Sequence, residues 1–238
     1  MTTLRGALEA RREEFDAHFE LAKALEDRMM LDAGEGLGNV SLSVRHINTL
    51  KSGLVVHLYN ILEAIMSQGL EALGAAIGSV DPRKWTEHSL REWLREAVVS
   101  RTSEGPEDGR LDKVFETSCL LLGDALLGPQ KLKKPSGTWD DKVVALFMQR
   151  MSITTNMPAE MWTRIVASKR YGDLTPIQFL ARRRNAIAHG RRSFEDGAID
   201  LNLEDIRTLA DITLDYVGYT ADSFGQHIGT EAYLVPAE

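Results

Sequence analysis

Cysteine is nearly absent from this 238-residue chain. The one example, Cys119, can neither close a disulfide within the chain nor build a cysteine-based metal site. That scarcity fits a reducing compartment. Long apolar runs are missing as well, and no window approaches the roughly 20 residues needed to span a bilayer. The opening "MTTLRGALEARREEF" alternates charge with apolar residues and holds no apolar targeting core. A cytoplasmic protein without membrane attachment is therefore expected. Histidine is sparse, with six residues, and His46 and His57, eleven positions apart, read as helix-surface or satisfied core side chains rather than ligands. No metal and no cofactor are expected. Finally, there is no excess of basic residues: the net charge of −7 excludes a protein that coats nucleic acid over its whole surface.

What is present is ordinary globular composition, 43% hydrophobic and 26% charged, enough for one sizeable core or two small ones, with one large domain the default expectation. Nearly every long segment repeats its apolar residues at helical spacing. Leu4, Leu8, Phe15, Phe19, Ala22, Leu25 and Met29 mark a first helix that stops before the glycine-rich "AGEGLGN". A long second helix is expected from Ser41 to Ile77, with Ile47, Leu50, Leu54, Leu58, Ile61, Leu62, Ile65 and Met66 as its stripe. The stretch "DPRKWTEHSLREWLREAVV" reads as one helix with Asp81 as N-cap and Pro82 at the first position. "LDKVFETSCLLLGDALLG" is another, followed by "GPQKLKKPSGT", a basic connector expected to be exposed. Two shorter helices, "WDDKVVALFMQR" and "PAEMWTRIVASKR", come next. Asn202 is placed to cap a last long helix, and Asp196-Gly197 is a turn sequence of the kind that closes a tiny hairpin. No internal repeat or low-complexity tract is visible. The fold class is all-α: a single domain over 1–238, with an N-terminal helix (1–33), a bundle (41–228) and a tail (229–238).

Charge is unevenly spread. From Arg164 to Arg192 there are eight basic residues and one acid, Asp173, a local charge of +7 against −14 for the remainder. A basic patch on an acidic body suits one polyanion site; solvated helix arginines are the alternative. The patch centres on "LTPIQFLARRRNAIAHG", with Thr175 as N-cap, Pro176 at the first position, Gln178 completing a capping box and Gly190 just past the end. On a helical wheel Arg182, Asn185 and His189 fall within roughly 60° of one another, while Arg184 is ~140° from His189, beside Leu180, Ile187 and Ala188. Arg184 thus lies at the edge of the core-facing stripe and needs a carboxylate, carbonyls or a bound phosphate. At His189 the helix dipole favours the imidazolium and the neighbouring arginines oppose it. Proton transfer and simple capping of carbonyls are both open to it. An Arg followed five positions later by His is a weak signal alone, since chance gives about 0.5 occurrences at this composition. Arg83 to His88 is a second case.

With its asparagine, small spacer residues and following glycine, "RRRNAIAHG" resembles the Arg-Asn-x-x-x-His motif of the HEPN (higher eukaryotes and prokaryotes nucleotide-binding) superfamily, in particular its prokaryotic defence-associated and toxin-like branches. The helix "LKSGLVVHLYNILEAIMSQGLEAL" is similar to the early helix of those proteins, and the resemblance extends from about Ser41 to about Ile228. It implies a helical bundle that forms a homodimer with two motifs facing each other, and often a metal-independent endoribonuclease. The motif residues carried over are Arg184, Asn185 and His189, with Arg182, Arg183, Arg191 and Arg192 as contacts for flanking phosphates. Glu63 is either a partner that orients Arg184 or a surface acid. Where some toxins carry a regulatory tyrosine two residues after the histidine, this chain has Arg191, so control by adenylylation is not implied. RNA is the implied substrate, and phage defence or a toxin–antitoxin pair, with an antitoxin or partner protein, is the implied setting. Two other readings stand beside this one: a non-catalytic module that binds RNA, a nucleotide or a protein, and a structural helical adaptor. The four tryptophans, Trp85, Trp93, Trp139 and Trp162, are expected in or near the core.

Overall fold

A computed structural model describes residues 3–31, 41–102, 104–123 and 125–236. The glycine-rich stretch 33–39 lies outside the described residues, as does the end of the tail. Eight α-helices are found among the described residues: α1 (Leu4–Met30), α2 (Val44–Gly78), α3 (Glu87–Leu94), α4 (Glu107–Leu122), α5 (Asp141–Arg150), α6 (Ala159–Arg164), α7 (Pro176–Ala188) and α8 (Leu203–Gly229). No sheet forms among them, in keeping with the all-α class. The chain divides into two compact units: Met1–Ile65, Thr138–Asp141 and Met157–Tyr219 in one, and Met66–Gly137, Lys142–Asn156 and Thr220–Glu238 in the other.

In the first unit, α1 buries Leu8, Phe15, Phe19 and Ala22, a narrower stripe than the periodicity suggests, because Leu4, Leu25 and Met29 stay partly exposed. α2 is buried more widely than one stripe. Besides Leu54, Leu58, Ile61, Leu62 and Ile65, both Val55 and Tyr59 are fully covered. A helix contacted on several sides loses the one-sided pattern on which a periodicity argument depends. Each fully buried side chain of this size contributes about 1.5–3 kcal/mol of hydrophobic stabilisation. α8 begins as expected: Asn202 Oδ1 accepts from the Asp205 N–H at 2.7 Å, and Asp205 Oδ2 accepts from the Asn202 N–H at 3.1 Å. This reciprocal cap satisfies donors that a helix start otherwise leaves unpaired. Ion pairs tie α8 to its neighbours, with Asp215 receiving Arg12 at 3.2 Å and Arg164 at 2.8 Å.

The second unit departs more from expectation. The predicted helix from Asp81 is interrupted: Asp81 caps a single tight turn, Pro82–Lys84, and Thr86 then caps α3 by accepting from the Ser89 N–H at 3.2 Å. Wider π-type turns follow over Arg95–Val99. The basic connector is not simply exposed. Gln130 N–H donates to the Gly74 carbonyl at 3.0 Å and Leu132 and Pro135 are buried, while Pro129, Lys131, Lys133, Ser136 and Gly137 are exposed, Lys133 donating to Ser100 Oγ at 2.6 Å. Gly74 and Gly78 permit this approach, since a Cβ at either would fall within 2 Å of a connector carbonyl oxygen. Trp85 and Trp93 meet edge to face at 5.6 Å, and Trp93 Nε1 donates to Gln130 Oε1 at 2.6 Å. α4 buries only Thr117 and exposes Leu111, Val114, Phe115, Leu120 and Leu122.

Candidate nucleic-acid interface at the end of α7

α7 and everything that touches it here belong to the first unit. The helix starts where its sequence signals place it: Thr175 Oγ1 accepts from the Gln178 N–H at 3.1 Å and Pro176 follows at the first position. The capping box is only half formed. Gln178 does not reach back to Thr175; its Nε2 donates instead to Asp141 Oδ2 at 3.2 Å, while the Thr175 hydroxyl donates to Asp141 Oδ1 at 2.7 Å. Burial pushes the Asp141 carboxyl up, opposed by these hydrogen bonds. The helix ends at Ala188, with His189 as C-cap and Gly190 at φ +66°, the left-handed conformation in which a Cβ is unwelcome. Gly190 N–H donates to Ile187 O at 3.0 Å, and Arg192 N–H donates to Ala186 O at 3.0 Å, folding the next residues back onto the helix. The expected hairpin is absent. Neither Asp196 nor Gly197 takes the positive φ that a tight hairpin turn requires, and residues 194–200 form irregular turns. Gly197 is pressed against Ser52 and Ile187, where a Cβ would fall within 3 Å of both side chains.

The five arginines of this segment have different fates. Arg183, expected to contact phosphate, is 8% exposed. Its guanidinium donates to both oxygens of Asp200, at 2.6 and 2.8 Å, and to the Gly197 carbonyl at 3.1 Å, and lies 4.8 Å from the Phe179 ring centre. These hydrogen bonds hold the Asp200 carboxyl below the usual carboxylate range. Spacing alone does not single out this arginine: Arg183 stands three residues after Leu180 and four before Ile187, Arg184 four after and three before, so both border the ridge that enters the core. The contacts of Arg183 are internal, so it drops out of the phosphate-contacting set.

Arg184 is partly covered and turned toward α2. Nη2 donates to Glu63 Oε2 at 2.8 Å, Nη1 to Asn185 Oδ1 at 3.2 Å, and the guanidinium carbon stands 4.5 Å over the ring of Tyr59. Burial, then the Glu63 carboxylate, pushes the Tyr59 phenol up to about 12, so the ring stays neutral beneath the cation. Asn185 Nδ2 donates to Thr138 Oγ1 at 2.7 Å. Thr138 ends the connector and was not singled out in the sequence; a hydroxyl 47 residues away leaves no mark on helical periodicity. The amide has one orientation that satisfies both neighbours: its donor faces Thr138 and its acceptor faces Arg184.

His189, Arg182 and Arg191 are exposed, and among the described residues their side chains have no hydrogen-bond or ionic partner. Arg192 is partly compensated, by the Asp196 carbonyl at 3.2 Å and Asp200 at 3.5 Å. The helix therefore sorts its polar residues, holding Arg184 and Asn185 in a hydrogen-bonded row and leaving an uncompensated cationic end. Among the described residues no three His, Cys, Asp or Glu side chains converge as a metal-ligand group, and no helix is long and apolar enough to cross a membrane.

A family model described as MAE_28990-like HEPN matches residues 1–233, nearly the whole chain and the whole of this site. The protein belongs to the HEPN superfamily. No curated protein and no solved structure matches it. In this HEPN chain the match takes in α1 as well as the stretch from about Ser41 to about Ile228 that carries the resemblance in the sequence.

Proposed function

We propose that this HEPN protein is a metal-independent endoribonuclease that cleaves RNA by transesterification. One observation carries the reading: an arginine held by Glu63 and an Asn185–Thr138 contact stands five residues from a solvent-exposed histidine with no partner, beside two equally unpartnered arginines. RNA brings its own nucleophile. The 2′-oxygen attacks the adjacent phosphorus, the bond to the 5′-oxygen breaks, and the products are a 2′,3′-cyclic phosphate and a 5′-hydroxyl. His189 takes the proton from the 2′-OH or returns one to the leaving oxygen, the work suited to imidazole at neutral pH. Arg184 stabilises the charge of the phosphorane, and Asn185 holds its orientation. Arg182, Arg191 and Arg192 bind flanking phosphates. Within one chain Arg184 turns toward α2 while His189 faces solvent, which supports an active centre completed by a second copy in a homodimer. With this reading comes a toxin or phage-defence setting controlled by a partner protein.

A second reading rests on the same ion pair. Arg184 is satisfied by Glu63, Asn185 and the Tyr59 face, so it can serve architecture in a non-catalytic module that binds RNA or protein. The two are separated by incubating wild type and His189→Ala with total tRNA and mixed-sequence RNA in EDTA and mapping the ends. The ribonuclease reading expects cyclic-phosphate ends from wild type alone. Equal cleavage by the mutant excludes the role of His189, and no cleavage by a folded wild type favours the binding module.

A further inference from the structure

Of the seven phenylalanines only Phe115 and Phe194 are exposed, at 68% and 47%. Phe115 lies on α4 between Asp112 and Glu116. Phe194 lies three residues past Arg191 and two past Arg192, on the segment that folds back from His189, so its Cα is at most about 11 Å from that of Arg191. Its neighbours on both sides are anchored. The Ser193 hydroxyl is bonded to Asp196, whose N–H donates to Ser193 Oγ at 3.0 Å, and Glu195 takes Arg45 Nε on both oxygens at 3.0 Å. Arg192 N–H is tied to the end of α7. The residues on either side are thus hydrogen-bonded, while the ring between them packs on no other aromatic side chain of the described residues.

We infer that Phe194 is a nucleobase-stacking subsite that takes an unpaired base of a strand whose phosphates run along Arg191, Arg182 and Arg192. The inference rests on the reading that this face binds RNA. Cations alone hold a backbone of any shape, whereas an exposed ring beside them adds a contact that only an unstacked base can make. Arg191, three residues before the ring and without an ionic partner among the described residues, favours a polyanion here. The result is a preference for loops and single strands over duplex at the mouth of the site, set by this chain's own residue.

The test uses the full-length protein and a short 2′-O-methyl oligonucleotide, which lacks the nucleophile and stays intact whether or not the protein cuts RNA. Binding is followed by fluorescence anisotropy at fixed salt, with the oligonucleotide single-stranded, single-stranded with abasic positions, and annealed to its complement. Phe194→Ala is expected to weaken the single strand by about 5- to 20-fold and the duplex by less than about 2-fold, with Phe194→Trp retaining affinity. Abasic positions should weaken wild type and leave Phe194→Ala unchanged. Equal affinity of Phe194→Ala and wild type for the single strand overturns the stacking role while leaving the ribonuclease reading untouched. Loss of dimer by Phe194→Ala, read by sedimentation, overturns it in favour of a copy–copy contact. No binding by wild type overturns it together with the RNA-binding face. Phe194-dependent binding without cleavage of ordinary RNA upholds the subsite and sinks the ribonuclease.

Discussion

Adjacent arginines that look interchangeable in "ARRRNAIAHG" should behave oppositely when removed. In Arg183→Ala the Gly197 carbonyl loses a buried donor, Asp200 loses a bidentate partner, and Phe179 loses the overlying cation. An unsatisfied buried carbonyl costs about 1–3 kcal/mol. The cation–ring contact adds about 0.5–1 kcal/mol. The Asp200 pair is discounted to under about 1 kcal/mol, because half of that carboxylate is in water. About 3 kcal/mol is the expected total, equivalent to a fall of roughly 6–12 °C in Tm for a chain of this size. Arg182→Ala removes an exposed, unpartnered side chain and should change stability by less than about 0.5 kcal/mol. The binding experiment inverts the order: Arg182→Ala should lower RNA affinity and reduce the salt slope by about one, whereas Arg183→Ala, measured well below its melting temperature, should leave that slope unchanged. Thermal melts and salt-dependent anisotropy on the two variants decide it. Equal melting temperatures would refute the assignment of Arg183 to the interior, and a reduced salt slope for Arg183→Ala would restore it to the phosphate-contacting set.

Two further expectations concern other contacts. Thr138→Val removes the acceptor that orients the Asn185 amide, and should lower kcat about tenfold with KM little changed and Tm within about 3 °C, while Thr138→Ser restores kcat; no difference between Val and Ser would exclude positioning through the hydroxyl. His18 and His57 meet through their Nδ1 atoms at 3.3 Å, and burial lowers both from their ordinary value. Because the unfolded chain then binds protons that the folded one refuses, the stability they contribute is fully present above about 6.5 and is lost as pH falls below it. Urea unfolding at pH 7.5 and 5.5 should show that loss, and His57→Gln should reduce it; an unchanged pH dependence in the mutant would assign the loss elsewhere, with buried His227 the next residue to test.

How much of this was legible beforehand depended on the range of the interactions concerned. Helix starts and stops are local. Thr175, Pro176 and Gly190 were readable because a cap is made within four residues of itself, and Asn202 for the same reason. The interrupted helix after Asp81 was misread because Thr86, a second good cap, lay inside a continuous apolar pattern. The hairpin was misread because Asp-Gly specifies a tight turn only when its backbone is free to take positive φ, and here Gly197 is held between Ser52 and Ile187. The connector is exposed over much of its length, as its composition suggests, but nothing in that composition records that Leu132 and Pro135 are buried or that Gly74 and Gly78 leave room for its backbone.

By itself, then, the sequence determined the helical class, the position of the motif at the end of a capped helix, the concentration of positive charge there, and the likeness to HEPN proteins that the family match bears out. Those features are written in spacing and composition, which a chain carries whether folded or not. Only the tertiary structure decided which arginine is buried and which is free, that Arg184 lies against Glu63 and Tyr59 while His189 remains in water, and that Thr138 supplies the missing partner of Asn185. The contacts of Arg184 with Glu63 and of Asn185 with Thr138 join residues 121 and 47 positions apart, and a pairing energy has no location until packing brings its two ends together.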